Sequence, residues 1–142
     1  MSTEENKVLI RRFYEEVFNT KNLNALDEFC SSDFVDYNPA QGQAPGREGV
    51  KQIFAAYTAA FPDLTATVED QIAEGDKVVV RMSVRGTHRG ELMGIAPTEK
   101  QITVSGIDIF RIVSGKVVER WGNTDELGMM QQLGVIPVPG QT

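Results

Sequence analysis

The sequence predicts an α+β fold, with helices packed on one face of a curved, mostly antiparallel sheet, and three observations predict it. Up to Phe61 the apolar residues recur at helical spacing, and after Pro62 they alternate with polar ones. From Gln101 to Asp125 two β-branched runs flank Ser114-Gly115, a two-residue loop of the kind that closes a hairpin. The chain of 142 residues has ordinary apolar content and no repeat or linker, so residues 1–142 are expected to form a single domain with one core and a modest pocket.

Taken in order, Ser2 and Glu5 make a capping box for a helix over roughly 4–19, whose buried stripe is Val8, Leu9, Phe13, Val17 and Phe18. Asn22 is expected to cap a second, short helix with Leu23, Leu26, Phe29 and Cys30 on its inner side, ended by Ser31-Ser32. Asp33 to Pro39 reads as a short strand entering a turn, because the residue before Pro is pushed out of the helical region. Ala40 to Gly46 is loop. A third helix runs from Arg47 with Val50, Ile53, Phe54, Tyr57 and Phe61 buried, and Pro62 closes it. Leu64, Ala66 and Val68 alternate in the first long strand, Glu74-Gly75-Asp76 is a turn, and Lys77 to Thr87 is the second. The segment Glu91 to Lys100 carries Leu92, Met93 and Ile95 between Gly and Pro; apolar side chains on a loop need something to cover, which suggests a lid over a pocket. After the hairpin, Thr124 or Asp125 starts a helix through Leu127, Met130 and Leu133 that Gly134 stops. Residues 136–142, with Pro137 and Pro139, are expected to be a flexible tail.

Counting outward from Ser114-Gly115 pairs Ile112 with Val117, Phe110 with Glu119, Asp108 with Trp121, Gly106 with Asn123 and Val104 with Asp125. Alternation puts all of these on one face, which would hold a carboxylate opposite the single Trp, a gap at Gly106 and a polar end at Asn123 and Asp125. An apolar hollow with a few convergent polar groups is the usual form of a small-molecule site. One bulge would move part of this register to the opposite face.

The formal net charge of −6 and the scattered basic residues argue against nucleic acid or an anionic membrane as partner. No apolar run reaches spanning length, and MSTEENKVLIRR lacks the basic-then-apolar order of a signal peptide. The single Cys30 permits no internal disulfide, which fits a cytoplasmic protein, and its apolar stripe makes it a core residue. His88 is the only histidine, so no His/Cys cluster exists for zinc, and no carboxylate spacing suggests magnesium.

The run Trp121-Gly122-Asn123-Thr124-Asp125-Glu126-Leu127-Gly128 and Gln132-Leu133-Gly134 resembles the SnoaL-like polyketide cyclase (ester cyclase) family of the NTF2-like superfamily. Gly86-Thr87-His88, Met93-Gly94-Ile95-Ala96-Pro97-Thr98, Gly106-Ile107-Asp108-Ile109-Phe110-Arg111 and Phe13-Tyr14 extend the resemblance over nearly the whole chain. It implies a cone of helices round a curved sheet with an internal pocket, a small apolar organic ligand, and homodimers or higher oligomers formed through the sheet. It also implies intramolecular aldol ring closure without metal or organic cofactor, with Asp125 as acid/base, and His88, Asp108 and Tyr14 as further site residues.

Such a ring closure needs a base for a proton flanked by two carbonyls and a donor for the oxygen that becomes the alcohol, and one desolvated carboxylate can serve both steps. Trp121 and Phe110 would supply the apolar surroundings, and Asn123, Tyr14 or His88 a hydrogen bond to the enolate oxygen. Asp125 also sits where a helix N-cap belongs, a role worth about 1 kcal/mol that explains it without catalysis. His88 is either a proton carrier or a loop brace, and Asp108 either a pocket acid or the partner of Arg81 or Arg111. Tyr37 and Asn38 either line the pocket or make an Asn-Pro turn, and Met93 belongs to the expected lid. Two rival functions stand beside the cyclase. A limonene-type epoxide hydrolase uses an Asp-Arg-Asp set, for which Asp125 and Arg81 are available but Ser83 stands where the second Asp is wanted. A non-catalytic ligand-binding or dimerising domain is the other, and fold alone does not decide between them.

Overall fold

The computed structural model describes residues 2–140. Helix α1, Thr3–Phe13, begins with the expected capping box: the Ser2 hydroxyl accepts from the Glu5 N–H, and the Glu5 carboxylate accepts from the Ser2 N–H. Its continuation, Tyr14–Asn19, is a π-helical turn. A 3-10 turn at Leu23–Ala25 leads into the single-turn α2, Leu26–Phe29, which lacks a side-chain cap from Asn22. Strand β1, Cys30–Asp36, starts earlier than expected, and Ser31-Ser32 lies inside it. Helix α3 spans Gly46–Ala60, and β2, Thr65–Glu74, β3, Lys77–Thr87, β4, Gln101–Val113, and β5, Lys116–Thr124, follow. Helix α4, Glu126–Leu133, ends at Gly134, whose φ of +80° is the left-handed conformation that glycine adopts at least cost. Beyond it the Val135 and Ile136 N–H groups donate back to Met130, while Gln141 and Thr142, the end of the expected flexible tail, lie outside the described residues.

The five strands form one curled sheet in the order β1-β5-β4-β3-β2. All neighbours are antiparallel except β1, which returns after α2 to lie parallel to β5. This is an α+β architecture with the helices on the concave face. Alternate residues of β4, from Ile102 to Ile112, are buried, so its inner face is the one the sequence pattern predicts. The apolar core is continuous from α1 through the inner sheet, where Phe13, Tyr14, Phe29 and Phe110 meet edge to face. A second cluster joins the end of α3, Leu92, β4 and α4.

The hairpin turn is where the sequence places it, but the register is not. Ile112 pairs with Val117, yet Arg111 pairs with Glu119, so Val118 is an extra residue in β5. Beyond this bulge every partner moves by one: Phe110 faces Arg120, Asp108 faces Gly122 and Gly106 faces Thr124. Trp121 therefore leaves the inner face and Arg120 enters it.

The expected lid is also corrected. The N–H groups of Arg89 and Gly90 donate to the Ala60 carbonyl, and a Cβ at Gly90 would strike the Ala59 carbonyl, so this segment lies tightly on the end of α3. Leu92 is buried in the second cluster and Met93 is 59% exposed on the outside. Leu92 thus seals the core beside α3, and Met93 covers no pocket. Among the described residues no helix is long and apolar enough to cross a membrane.

Candidate active site

A cavity of about 470 Å³ lies between the helices and the inner face of the sheet. Its walls are aromatic: Phe13, Phe18, Phe54, Tyr57 and Phe110 come from α1, the π-turn, α3 and β4. Against this apolar surface stands one polar cluster, assembled from four segments. Asp108 projects from the middle of β4 and is 5% exposed. The Tyr14 hydroxyl, from the first residue of the π-turn, donates to Asp108 Oδ2. Arg120, brought inward by the bulge, donates from Nη2 to Asp108 Oδ1 at 2.8 Å and from Nη1 to Asp36 Oδ1 at 2.9 Å. Asp36 reaches this point because β1 runs parallel to β5, with Asp36 paired to Arg120. Its second oxygen accepts from Gln43 Nε2 at 3.0 Å, so the cluster extends into the loop before α3.

Two further contacts hold the arrangement. Asn38 accepts from Arg120 Nη1 through its carbonyl at 3.1 Å and from the Gly122 N–H through its side chain at 3.0 Å. Gly122 has no alternative, since a Cβ there would collide with Asp108 Oδ1 and the Arg120 guanidinium. Burial, and then the adjacent Asp108 carboxylate, hold the Tyr14 phenol well above its ordinary value. Burial works against the charge of Arg120, but Asp108 and Asp36 together outweigh it and keep its proton more firmly than usual. The result is a buried ion pair with every partner hydrogen-bonded, the condition under which buried charge persists.

The residues singled out from the sequence divide. Tyr14, Asn38, Asp108, Phe110 and Asn123 line the cavity. The cation beside Asp108 is neither Arg81, which pairs with Asp70, nor Arg111, which pairs with Glu119. Gly106 lies in the buried row of β4, where Met82 occupies the space beside it, and it is not part of the lining. Trp121 and Tyr37 stack on the outer face at 5.1 Å between ring centres and 9° between planes, away from the cavity. Met93 is outside for the reason given above. Asp125 is exposed: it caps α4, accepting from the Gly128 N–H at 2.9 Å, and does not line the cavity. His88 is fully buried behind the cavity wall against Phe61, and its Nδ1 accepts from the Thr98 N–H at 3.2 Å, which braces the loop. Arg120, Asp36 and Gly122 were not anticipated. Arg120 lies between Glu119 and Trp121, and which of the three faces inward is unreadable without the bulge.

Cys30 also lines the cavity, and burial pushes its thiol up to about 12. Among the described residues no group of three or more His, Cys, Asp or Glu is placed to hold a metal ion.

A family model described as SnoaL-like polyketide cyclase matches residues 8–133. Nogalonic acid methyl ester cyclase of Streptomyces nogalater is 30% identical over 121 residues, covering 82% of this chain and 89% of the relative. Aklanonic acid methyl ester cyclase DnrD of Streptomyces peucetius is 31% identical over 139 residues, covering 94% and 92%. Among solved structures, TsrD from Streptomyces laurentii superposes with a TM-score of 0.86 at 29% identity, covering 96% of this chain and 99% of that one.

Proposed function

The chain belongs to the SnoaL-like polyketide cyclase family, a family of cyclase-type enzymes, and from that premise we propose that it closes a ring within a small, largely apolar, carbonyl-containing substrate by an intramolecular aldol reaction. The reading rests on one observation: the buried carboxyl group of Asp108 faces an aromatic cavity and is flanked by two donors, Tyr14 and Arg120. A carboxylate offers about four acceptor positions. Tyr14 takes one and Arg120 Nε and Nη2 take two, which leaves one for a proton. Asp108 removes the proton from a carbon between two carbonyls, the resulting enolate carbon attacks a ketone of the same molecule, and the new alkoxide takes the proton back. The Arg120 guanidinium and Tyr14 hydroxyl are the local positive and polar groups available to the enolate and alkoxide oxygens. The aromatic walls hold the substrate folded, which lowers the entropic barrier to ring closure. In this reading acid/base work passes from Asp125 to Asp108, because Asp125 is committed to the start of α4.

With a polyketide methyl ester carrying a pendant ketone as substrate, Asp108→Asn is expected to lower turnover by about 10²-fold or more with the fold intact, while Asp125→Asn turns over normally. An unchanged rate in Asp108→Asn removes the proposal. Association of copies through the outer face of the sheet, where Ile72 and Ile107 are exposed, belongs to the same reading and is checked by light scattering.

A second reading has its own support. Asp36, Arg120 and Asp108 form an Asp-Arg-Asp set of the kind that limonene-type epoxide hydrolases use, built from residues other than those the sequence suggested. One carboxylate would take a proton from water as its oxygen bonds to an epoxide carbon; the other, protonated, would give its proton to the departing ring oxygen, yielding a diol. Diol formation from small cyclic epoxides, lost in Arg120→Lys, supports it; silence across a panel dismisses it.

A further inference from the structure

The π-turn lies between the site and the edge of the sheet. Its bonds are wide: the Thr20 N–H reaches the Glu15 carbonyl at 3.0 Å, five residues back. In an α-helix, residues five apart are about 140° apart around the axis. An i→i+5 turn brings them close to the same side instead. Tyr14 and Asn19 are such a pair. Tyr14 faces Asp108, and Asn19 faces β2, the free edge of the sheet. The Asn19 side chain donates from Nδ2 to the Ala66 carbonyl at 3.0 Å and accepts from the Ala66 N–H at 2.8 Å. It satisfies both main-chain groups of one edge residue, as a neighbouring strand would. The Lys21 ammonium closes the same corner by donating to the Asn19 and Leu64 carbonyls at 3.3 and 3.0 Å.

We infer that Asn19 is a positioning residue: by pinning the end of the π-turn to Ala66, it prevents the turn from tightening to α-helix and so keeps the Tyr14 hydroxyl on Asp108. Were the turn to tighten, Asn19 would swing off Ala66 or Tyr14 would rotate off Asp108, since α-helical spacing does not allow both. The role assigned to Asn19 concerns the geometry of Tyr14 and holds whether or not Asp108 acts as the base. It deepens the proposed cyclase site, on which its importance for turnover depends.

The test reads the phenol itself. The chain has three tyrosines, and Tyr14 is the one fully enclosed. In an ultraviolet alkaline titration of the intact protein, Tyr37 and Tyr57 are expected to ionise reversibly and Tyr14 only on unfolding. In Asn19→Ala, with native far-ultraviolet circular dichroism, the third tyrosine should ionise reversibly at least about one pH unit earlier. Asn19→Asp keeps the bond from the Ala66 N–H and loses the one to its carbonyl; it should lie between the two and serves if Asn19→Ala does not fold. A folded variant whose three tyrosines titrate as in the parent overturns the inference. If the titration moves while turnover does not, Asn19 keeps its role and the catalytic reading of the Tyr14/Asp108 pair falls.

Discussion

The hairpin of β4 and β5 carries the same chemical group twice, once on each face. Inside, the Tyr14 hydroxyl donates to Asp108, which also takes Arg120. Outside, the Tyr37 hydroxyl donates to Glu119 at 2.6 Å, and Glu119 also takes Arg111. Each arginine then reaches a second carboxylate, Asp36 inside and Asp76 outside. The difference is water. The inner phenol is raised far by burial first and its neighbour second, whereas Tyr37 is raised chiefly by its hydrogen bond to Glu119. A similar set of contacts is therefore screened by solvent on one face and enclosed beside an aromatic cavity on the other, and under the proposed function only the enclosed set is reactive.

The largest expected break in this symmetry is the loss of the central carboxylate. Asp108→Ala leaves the largely buried Arg120 guanidinium with one carboxylate partner and should cost about 3–5 kcal/mol in chemical unfolding, while Glu119→Ala leaves the midpoint nearly unchanged. Gly122→Ala comes next: its methyl group displaces Arg120 from Asp108, for about 1–3 kcal/mol and most of the turnover, a result that a crystal structure of the variant checks directly. Alkaline stability sharpens the contrast further. The fold holds the Tyr14 proton above the ordinary value of 10.0, so from that pH upward the unfolded chain releases a proton that the folded chain keeps. The stabilisation is complete below pH 10 and declines above it. Cys30, raised by burial from 9.0 to about 12, adds to the decline from pH 9 upward. Tyr14→Phe should flatten the decline measured by urea unfolding between pH 9 and 11, and Tyr37→Phe should hardly alter it. The smallest effect is expected at Asp125, where Ala costs about 1 kcal/mol as a lost cap and leaves kcat within twofold.

Much of the fold was legible because hydrophobic periodicity reports burial directly. The capping box at Ser2, the end of α3 before Pro62, the turn at Ser114-Gly115 and the αL stop at Gly134 all carry local chemistry that needs no tertiary information. The inner face of β4 was legible for the same reason, and with it Asp108, Phe110 and, through the family pattern, Tyr14. The other half of the site was hidden by Val118. A bulged valine has the same composition as a paired one, and its effect is to exchange faces for every residue after it, so Trp121 and Arg120 changed places. Asp36 was hidden differently: its place depends on β1 lying parallel to β5, a pairing across more than eighty residues that no local pattern announces. His88 and the segment after it looked functional because a lone His and loop Leu or Met side chains suggest a site, yet here His88 and Leu92 fill the back of the core and Met93 faces outward.

The parallel pairing of β1 with β5 has a bearing on how the chain folds. Asp36 and Arg120 are 84 positions apart and Tyr14 and Asp108 are 94, so neither contact can form until both ends of the polypeptide have met. Contacts of such long sequence separation close late. A nascent or collapsed chain whose last hairpin docks one residue out of step would present Trp121 to the interior and strand Asp108 without its cation. The alignment of β5 on β4 is thus what brings the cation to Asp108, and a chain that misses it lacks the cluster as well as the register.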